Sequence, residues 1–174
     1  MFEDIKEKIS GPVFTVYTAF DKNENIDYSK IESHIDFMYK NGARIFYVMP
    51  YNSRYSQLKE HEILKLNQNS ITYIKKYSDT IAIVSDPIHG PSSLSVEFGH
   101  SAIESGVDIF ASIVREKFFS VSQICNHYDI LANCLDVPLL VHEMPFLSGY
   151  DSKNMNWPIE LFSELSKIEK IIAI

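Results

Sequence analysis

The sequence predicts an α/β fold built on a parallel sheet. Three observations carry this. Short β-branched and aromatic runs alternate with amphipathic stretches along the 174 residues. The connections between them are short, and polar residues appear where each apolar run stops. Neighbouring parallel strands need a crossover of a dozen residues or more, usually a helix, so strict alternation reads as a sheet with helical crossovers. Two arrangements remain open: a small open sheet with its sixth strand at the edge, or the first six units of an eight-unit barrel.

In order, Val13–Phe20 is rich in β-branched and aromatic residues and predicts the first strand. Asp21-Lys-Asn-Glu-Asn25 is turn chemistry. Ile31, Ile35 and Met38 mark one face of a helix from Tyr28 to Lys40, which Asn41-Gly42 ends. Arg44–Met49 is the second strand, closed by Pro50-Tyr-Asn-Ser-Arg54, and a second helix over Lys59–Lys76 presents Ile63, Leu66, Ile71 and Ile74. Ile81–Val84 is the third strand and stops at Ser85-Asp-Pro-Ile-His-Gly90. A helix follows from Ser92 or Ser93 to Ser105, then a fourth strand, Asp108–Val114, and a fourth helix, Ser120–Leu135. Leu139–Val141 is a short buried strand, Trp157-Pro158 opens a helix reaching Ile168, and Lys170–Ile174 begins a sixth strand. No linker or low-complexity segment interrupts this, so residues 1–174 are expected to form a single domain.

Composition narrows the function classes. A net charge of −7 and only three arginines, Arg44, Arg54 and Arg115, exclude a phosphate-tracking surface, so no nucleic acid partner is expected. Cys125 and Cys134 form neither a Cys-x-x-Cys pair nor a disulfide framework and fit a reduced, cytoplasmic protein. The N-terminus lacks the apolar centre of a signal peptide, and no apolar run approaches membrane-spanning length, so no membrane partner is expected. There is no Gly-x-Gly-x-x-Gly, no Walker-type loop and no nucleophile elbow.

The chemistry concentrates at Asp136–Gly149. The run Leu139–Val141 switches at once to His142 and Glu143, and sites in parallel α/β folds are built at the C-terminal ends of strands. Asp86, His89, Glu116, His142 and Glu143 all follow strands three to five, yet no His-x-His pattern joins them, and neither a metal nor any other cofactor is expected. His61-Glu62 does not complete a zinc helix, and His34, His100 and His127 fall in helices as packing or surface residues.

Several stretches together resemble the dihydrodipicolinate synthase and N-acetylneuraminate lyase family. Val16-Tyr-Thr-Ala-Phe-Asp21 is similar to its opening Thr-Pro-Phe strand. Ser56-Gln-Leu-Lys-Glu-His-Glu62 resembles the entry to its second helix, and His142-Glu-Met-Pro-Phe-Leu-Ser-Gly149 its Tyr-Asn-x-Pro-x-x-x-Gly stretch. Ile168–Ile174 is similar to the run leading into its Schiff-base lysine. The resemblance implies a TIM (β/α)8 barrel, here the N-terminal six strands and five helices, in a homo-oligomer. It further implies a class I aldolase that joins or splits a 2-oxo acid, pyruvate, and an aldehyde through a lysine imine.

The same resemblance assigns residues. His142 stands where the family has its proton-handling tyrosine and is the expected catalytic group. The carboxylate-binding loop aligns with Pro50-Tyr51-Asn52-Ser53-Arg54, where Asn52 and Ser53 can donate and Arg54 can pair with a carboxylate. Tyr51, Arg115 and Glu143 complete the expected substrate contacts. Ser112-Ile-Val-Arg115 replaces a Thr-Pro-Tyr-Tyr segment, and Leu147 stands where diaminopimelate-pathway members carry arginine, as in the sugar-acid lyases. The imine-forming lysine is expected directly after Ile174, so the chain by itself is expected to be inactive. The alternative is a non-catalytic barrel serving as a binding or assembly module. On the barrel reading, Asn52, Ser53, Asp86, Arg115 and His142 should meet at the C-terminal mouth.

Overall fold

The computed structural model describes residues 2–49, 53–86, 90–114, 120–143 and 156–174. Its elements run α1 (Glu3–Lys8), β1 (Val13–Val16), α2 (Tyr28–Lys40), β2 (Ile45–Val48), a 3-10 turn (Tyr55–Gln57), α3 (Glu60–Ile74), β3 (Ile81–Ser85), α4 (Ser92–Glu104), β4 (Ile109–Ser112), α5 (Val121–Cys134), β5 (Leu139–Val141), α6 (Ile159–Leu165) and β6 (Ile171–Ala173). The six strands form one sheet in sequence order, every pair parallel. β3 therefore lies between β2 and β4, and β1 and β6 are the edges among the described residues. This is the predicted α/β architecture, six βα-type strands of a TIM barrel with helices α2–α6 as the crossovers.

The period of two along each strand divides the core. Ile45, Tyr47, Ile81, Ile83, Ile109 and Ala111 form one cluster, with Leu140 and Ile172 packed against it. This is the inner face. The alternate residues Phe46, Val48, Ala82, Val84, Phe110, Leu139 and Val141 join Ile35, Ile71, Tyr128 and Leu161 in the larger cluster between sheet and helices. Strands buried on both faces read as unbroken apolar runs, which is why β2 and β3 were conspicuous in the sequence. Phe46 and Phe110 are fully buried in the outer layer. Truncating either to alanine is expected to cost about 3–5 kcal/mol.

Local chemistry fixes the helix ends. Asp27 accepts from the Lys30 amide to cap α2, and Ser120 and Gln123 form a reciprocal capping box on α5. Gly42, at φ +97°, follows α2 in the left-handed region that glycine alone adopts without strain.

Two elements differ from expectation. The first strand stops at Val16 rather than Phe20: Tyr17 is exposed, and the Thr18 hydroxyl turns away to donate to the Ser53 carbonyl. Phe20 instead bridges Ile26 antiparallel, closing a turn in which the Asp21 carboxylate accepts from the Asn23 and Asn25 amides at 2.8 and 2.9 Å. Helix α1 was not anticipated. Its Ile5, together with Ile9 just beyond it, packs against the inner cluster and covers the N-terminal end of the sheet.

Candidate active site at the C-terminal ends of the strands

Tyr47 on β2 and His142 just past β5 share the inner face, since Tyr47 alternates with Ile45 and His142 with Leu140. Their side chains meet: the Tyr47 hydroxyl lies 3.0 Å from His142 Nδ1, with ring centroids 5.7 Å apart. Tyr47 is buried and His142 half-buried. The backbone of His142 is held as well, its amide donating to the Ser112 carbonyl at 3.2 Å. The predicted catalytic residue thus stands at the inner C-terminal rim on a fixed backbone with a phenol against its ring. Tyr47 itself was not predicted, although the parity of the strands carried the signal.

Met49 has φ +66° and Arg54 φ +67°, both outside the usual range for side chains of this size. Ser53 is fully buried, with its hydroxyl 3.4 Å from the Met49 sulfur and its carbonyl receiving the Thr18 hydroxyl. The Ser85 hydroxyl donates to the Met49 carbonyl, tying the end of β3 to the end of β2. Arg54 is exposed. Tyr51, Asn52 and Arg115 lie outside the described residues, as do His89 and Glu116. The Glu143 carboxylate is half-buried and accepts from the Trp157 amide at 2.7 Å, linking the exit of β5 to the start of α6.

Asp86 does not join the inner face. It alternates with Ala82 and Val84 and points into the helical layer, where it is buried. Its Oδ2 accepts from Ser95 at 2.7 Å and from Ser112 at 2.8 Å, and its Oδ1 from the Ile113 amide at 3.4 Å. His127, expected only to pack, continues this chain. Its Nε2 lies 2.8 Å from the Ser112 hydroxyl and its Nδ1 2.8 Å from the Ser92 hydroxyl. Burial holds the His127 imidazole below the ordinary histidine value, while the nearby Asp86 charge pulls the other way. Next to it, burial pushes the Tyr128 phenol well above its usual value, so it stays a neutral donor to the Ser112 carbonyl at 2.8 Å.

The described lysines do not supply a desolvated amine. All are exposed except Lys170, which is half-buried and donates to the Leu135 carbonyl at the start of β6, the opposite end of the strand from the site. Among the described residues no cluster of three or more His, Cys, Asp or Glu side chains could hold a metal ion. No helix among them is long and apolar enough to cross a membrane.

A parallel sheet in sequence order, helical crossovers and polar side chains at the strand C-termini define the TIM-barrel class of scaffold. Within that class the assignment is specific: the chain belongs to the dihydrodipicolinate synthetase family, whose model matches residues 8–174. The 4-hydroxy-tetrahydrodipicolinate synthase of Oceanobacillus iheyensis is 24% identical over 167 residues, which are 94% of this chain and 54% of the relative. CdNal from Clostridium difficile, solved in complex with mannosamine, superposes with a TM-score of 0.82 at 21% identity, over 95% of this chain and 55% of that one. YagE, a prophage protein of E. coli K12 in the dihydrodipicolinic acid synthase family, solved in complex with pyruvate, gives 0.74 at 18% identity, over 81% of this chain and 47% of that one. The chain spans about half the length of the relatives it matches.

Proposed function

We propose that this chain carries part of a class I aldolase site for a 2-oxo acid, in which His142 moves the proton. The observation that supports this most is the Tyr47–His142 contact at the inner rim, because His142 occupies the position that resembles the family's proton-handling tyrosine. A neutral imidazole takes and returns a proton near pH 7. With the Tyr47 hydroxyl donating, Nδ1 is the acceptor and Nε2 carries the proton, so the phenol sets the tautomer as well as the ring orientation.

In such a reaction an amine attacks the keto carbon of the 2-oxo acid, water leaves, and the resulting iminium draws electrons from the adjacent carbon as the bond to the aldehyde carbon forms or breaks. Pyruvate is the proposed 2-oxo acid, with Asn52, Ser53, Arg54 and Arg115 as its proposed carboxylate partners. The complex of YagE with pyruvate supports the choice. An aldehyde is the second partner, and a homo-oligomer the proposed assembly in a cytoplasmic protein, with residues 1–174 as one domain.

The amine must be desolvated to be nucleophilic near neutral pH. None of the described lysines is desolvated, and from the resemblance of Ile168–Ile174 to the run before the family's lysine we place the amine at the residue following Ile174, so that the 174-residue chain on its own is inactive. The same lysine distribution is what favours the alternative, a barrel that binds without catalysing. Titrating pyruvate into the chain while following the ring resonances of Tyr47 and His142 tests the site. Perturbation of both supports it, and unperturbed spectra at millimolar pyruvate would remove the 2-oxo acid assignment.

A further inference from the structure

The Asp86–Ser112–His127–Ser92 chain lies behind the site, on the helical side of the sheet, and the family reading gives it no role. It joins four elements: the ends of β3 and β4, the first residue of α4 and the middle of α5. The order of donors within it follows from counting protons. Ser112 has one hydroxyl proton, and the Asp86 carboxylate, which can only accept, takes it. Towards His127 the Ser112 oxygen therefore accepts, so Nε2 carries the imidazole proton. Nδ1 is then the acceptor for the Ser92 hydroxyl. Every bond is satisfied by a neutral histidine in one tautomer, the form that its burial favours.

This chain converges on Ser112, whose main chain is also committed. Its carbonyl accepts from the His142 amide at 3.2 Å and from the buried Tyr128 phenol at 2.8 Å. The next amide, Ile113, donates to Asp86. One residue on β4 is thus fixed from behind through its hydroxyl and fixes the backbone of His142 in front through its carbonyl. We propose that Ser112 and His127 are positioning residues for His142, holding the exit of β4 so that His142 presents its ring to Tyr47. The inference rests on the reading of His142 as the proton-moving group, but its structural content does not depend on activity.

The test uses the 174-residue chain with isotope-labelled histidine and tyrosine and reads the Tyr47–His142 ring cross-peak together with the His142 ring nitrogen shifts. Ser112→Ala removes one oxygen and little volume. His127→Leu removes both ring nitrogens. His127→Gln keeps a donor where Nε2 was. The expected result is loss of the cross-peak and a shift of His142 Nδ1 in Ser112→Ala and His127→Leu, with recovery in His127→Gln. Folded Ser112→Ala and His127→Leu proteins whose His142 and Tyr47 signals match the parent would overturn the proposal, because a purely structural role lowers stability without moving those signals. Failure of both variants to fold would overturn it too, since the chain would then be a requirement of the fold. If the signals move as expected while pyruvate perturbs nothing in the parent, positioning stands and the 2-oxo acid reading falls. If pyruvate binds the parent and the variants leave His142 unmoved, the reverse holds.

Discussion

The Tyr47 hydroxyl and His142 Nδ1 meet at 3.0 Å, joining β2 to β5 although β3 and β4 lie between them in the sheet. A contact spanning four strands of one sheet is available only where inward-pointing side chains converge, and it places this pair on the inner face.

Tyr47→Phe keeps the ring and deletes the oxygen. Loss of one largely buried hydrogen bond is expected to cost about 1 kcal/mol of stability. His142 should lose its single tautomer, read as averaging of its two ring nitrogen shifts. Unchanged nitrogen shifts would mean that the phenol does not orient the ring.

Gly99→Ala sets two effects against each other. Alanine favours a helix over glycine by about 1 kcal/mol. A Cβ at Gly99 in α4, however, would sit 2.4 Å from Leu135 Cδ1, 2.7 Å from Cδ2 and 3.1 Å from Cγ, and Leu135 is buried just beyond α5. Overpacking of this kind costs about 1–3 kcal/mol, so the variant is expected to be less stable by chemical denaturation. Leu135→Ala in the same chain should recover part of the loss from Gly99→Ala, and the double-mutant cycle measures that coupling.

Acid should weaken the fold through His127. Its pKa is depressed on folding by burial, with Asp86 on β3 the charged group facing it and opposing the shift. The unfolded chain then binds the proton more readily. Stability is complete above the unfolded value of roughly 6.5 and falls as the pH drops through it towards the folded value. Urea midpoints measured on either side of that value should show the fall, and His127→Gln should flatten it. Parallel profiles for the two proteins would show that another group is responsible.

Much of this was legible in the sequence. Helix α2 begins and ends where its apolar spacing and the Asn41-Gly42 stop predicted, and β5 occupies the run Leu139–Val141. His142 announced itself because a polar pair follows that run directly. Tyr47 did not, since a tyrosine inside an apolar strand looks like core until the partner on its face is known. His127 was passed over for a related reason: helical periodicity cannot show that Ser92 and Ser112 lie within reach of its two nitrogens. Asp86 was expected at the mouth, but one residue of strand parity sends it to the helical side. Helix α1 escaped notice because six residues without a side-chain cap give little local signal, its position being fixed by tertiary packing of Ile5.

At the N-terminal end of the strands, Tyr77 stacks on Tyr39 with centroids 3.8 Å apart and donates to Asp36 at 2.6 Å. The carboxylate pushes the Tyr77 phenol up to about 12, because ionisation would lose that hydrogen bond and set two anions side by side. In an alkaline absorbance titration Tyr77, like the buried Tyr128, should therefore ionise late, and Asp36→Asn should bring Tyr77 back towards the ordinary value. A titration unaffected by that substitution would contradict the assignment.

The aldolase account is tested most directly by borohydride reduction in the presence of pyruvate, followed by mass mapping of the lysine peptides. The account predicts no pyruvyl adduct on any lysine of residues 1–174, and a single adduct on a lysine directly following Ile174 in a chain that carries one there. An adduct on any lysine of residues 1–174, or no adduct with that following lysine in place, would contradict it.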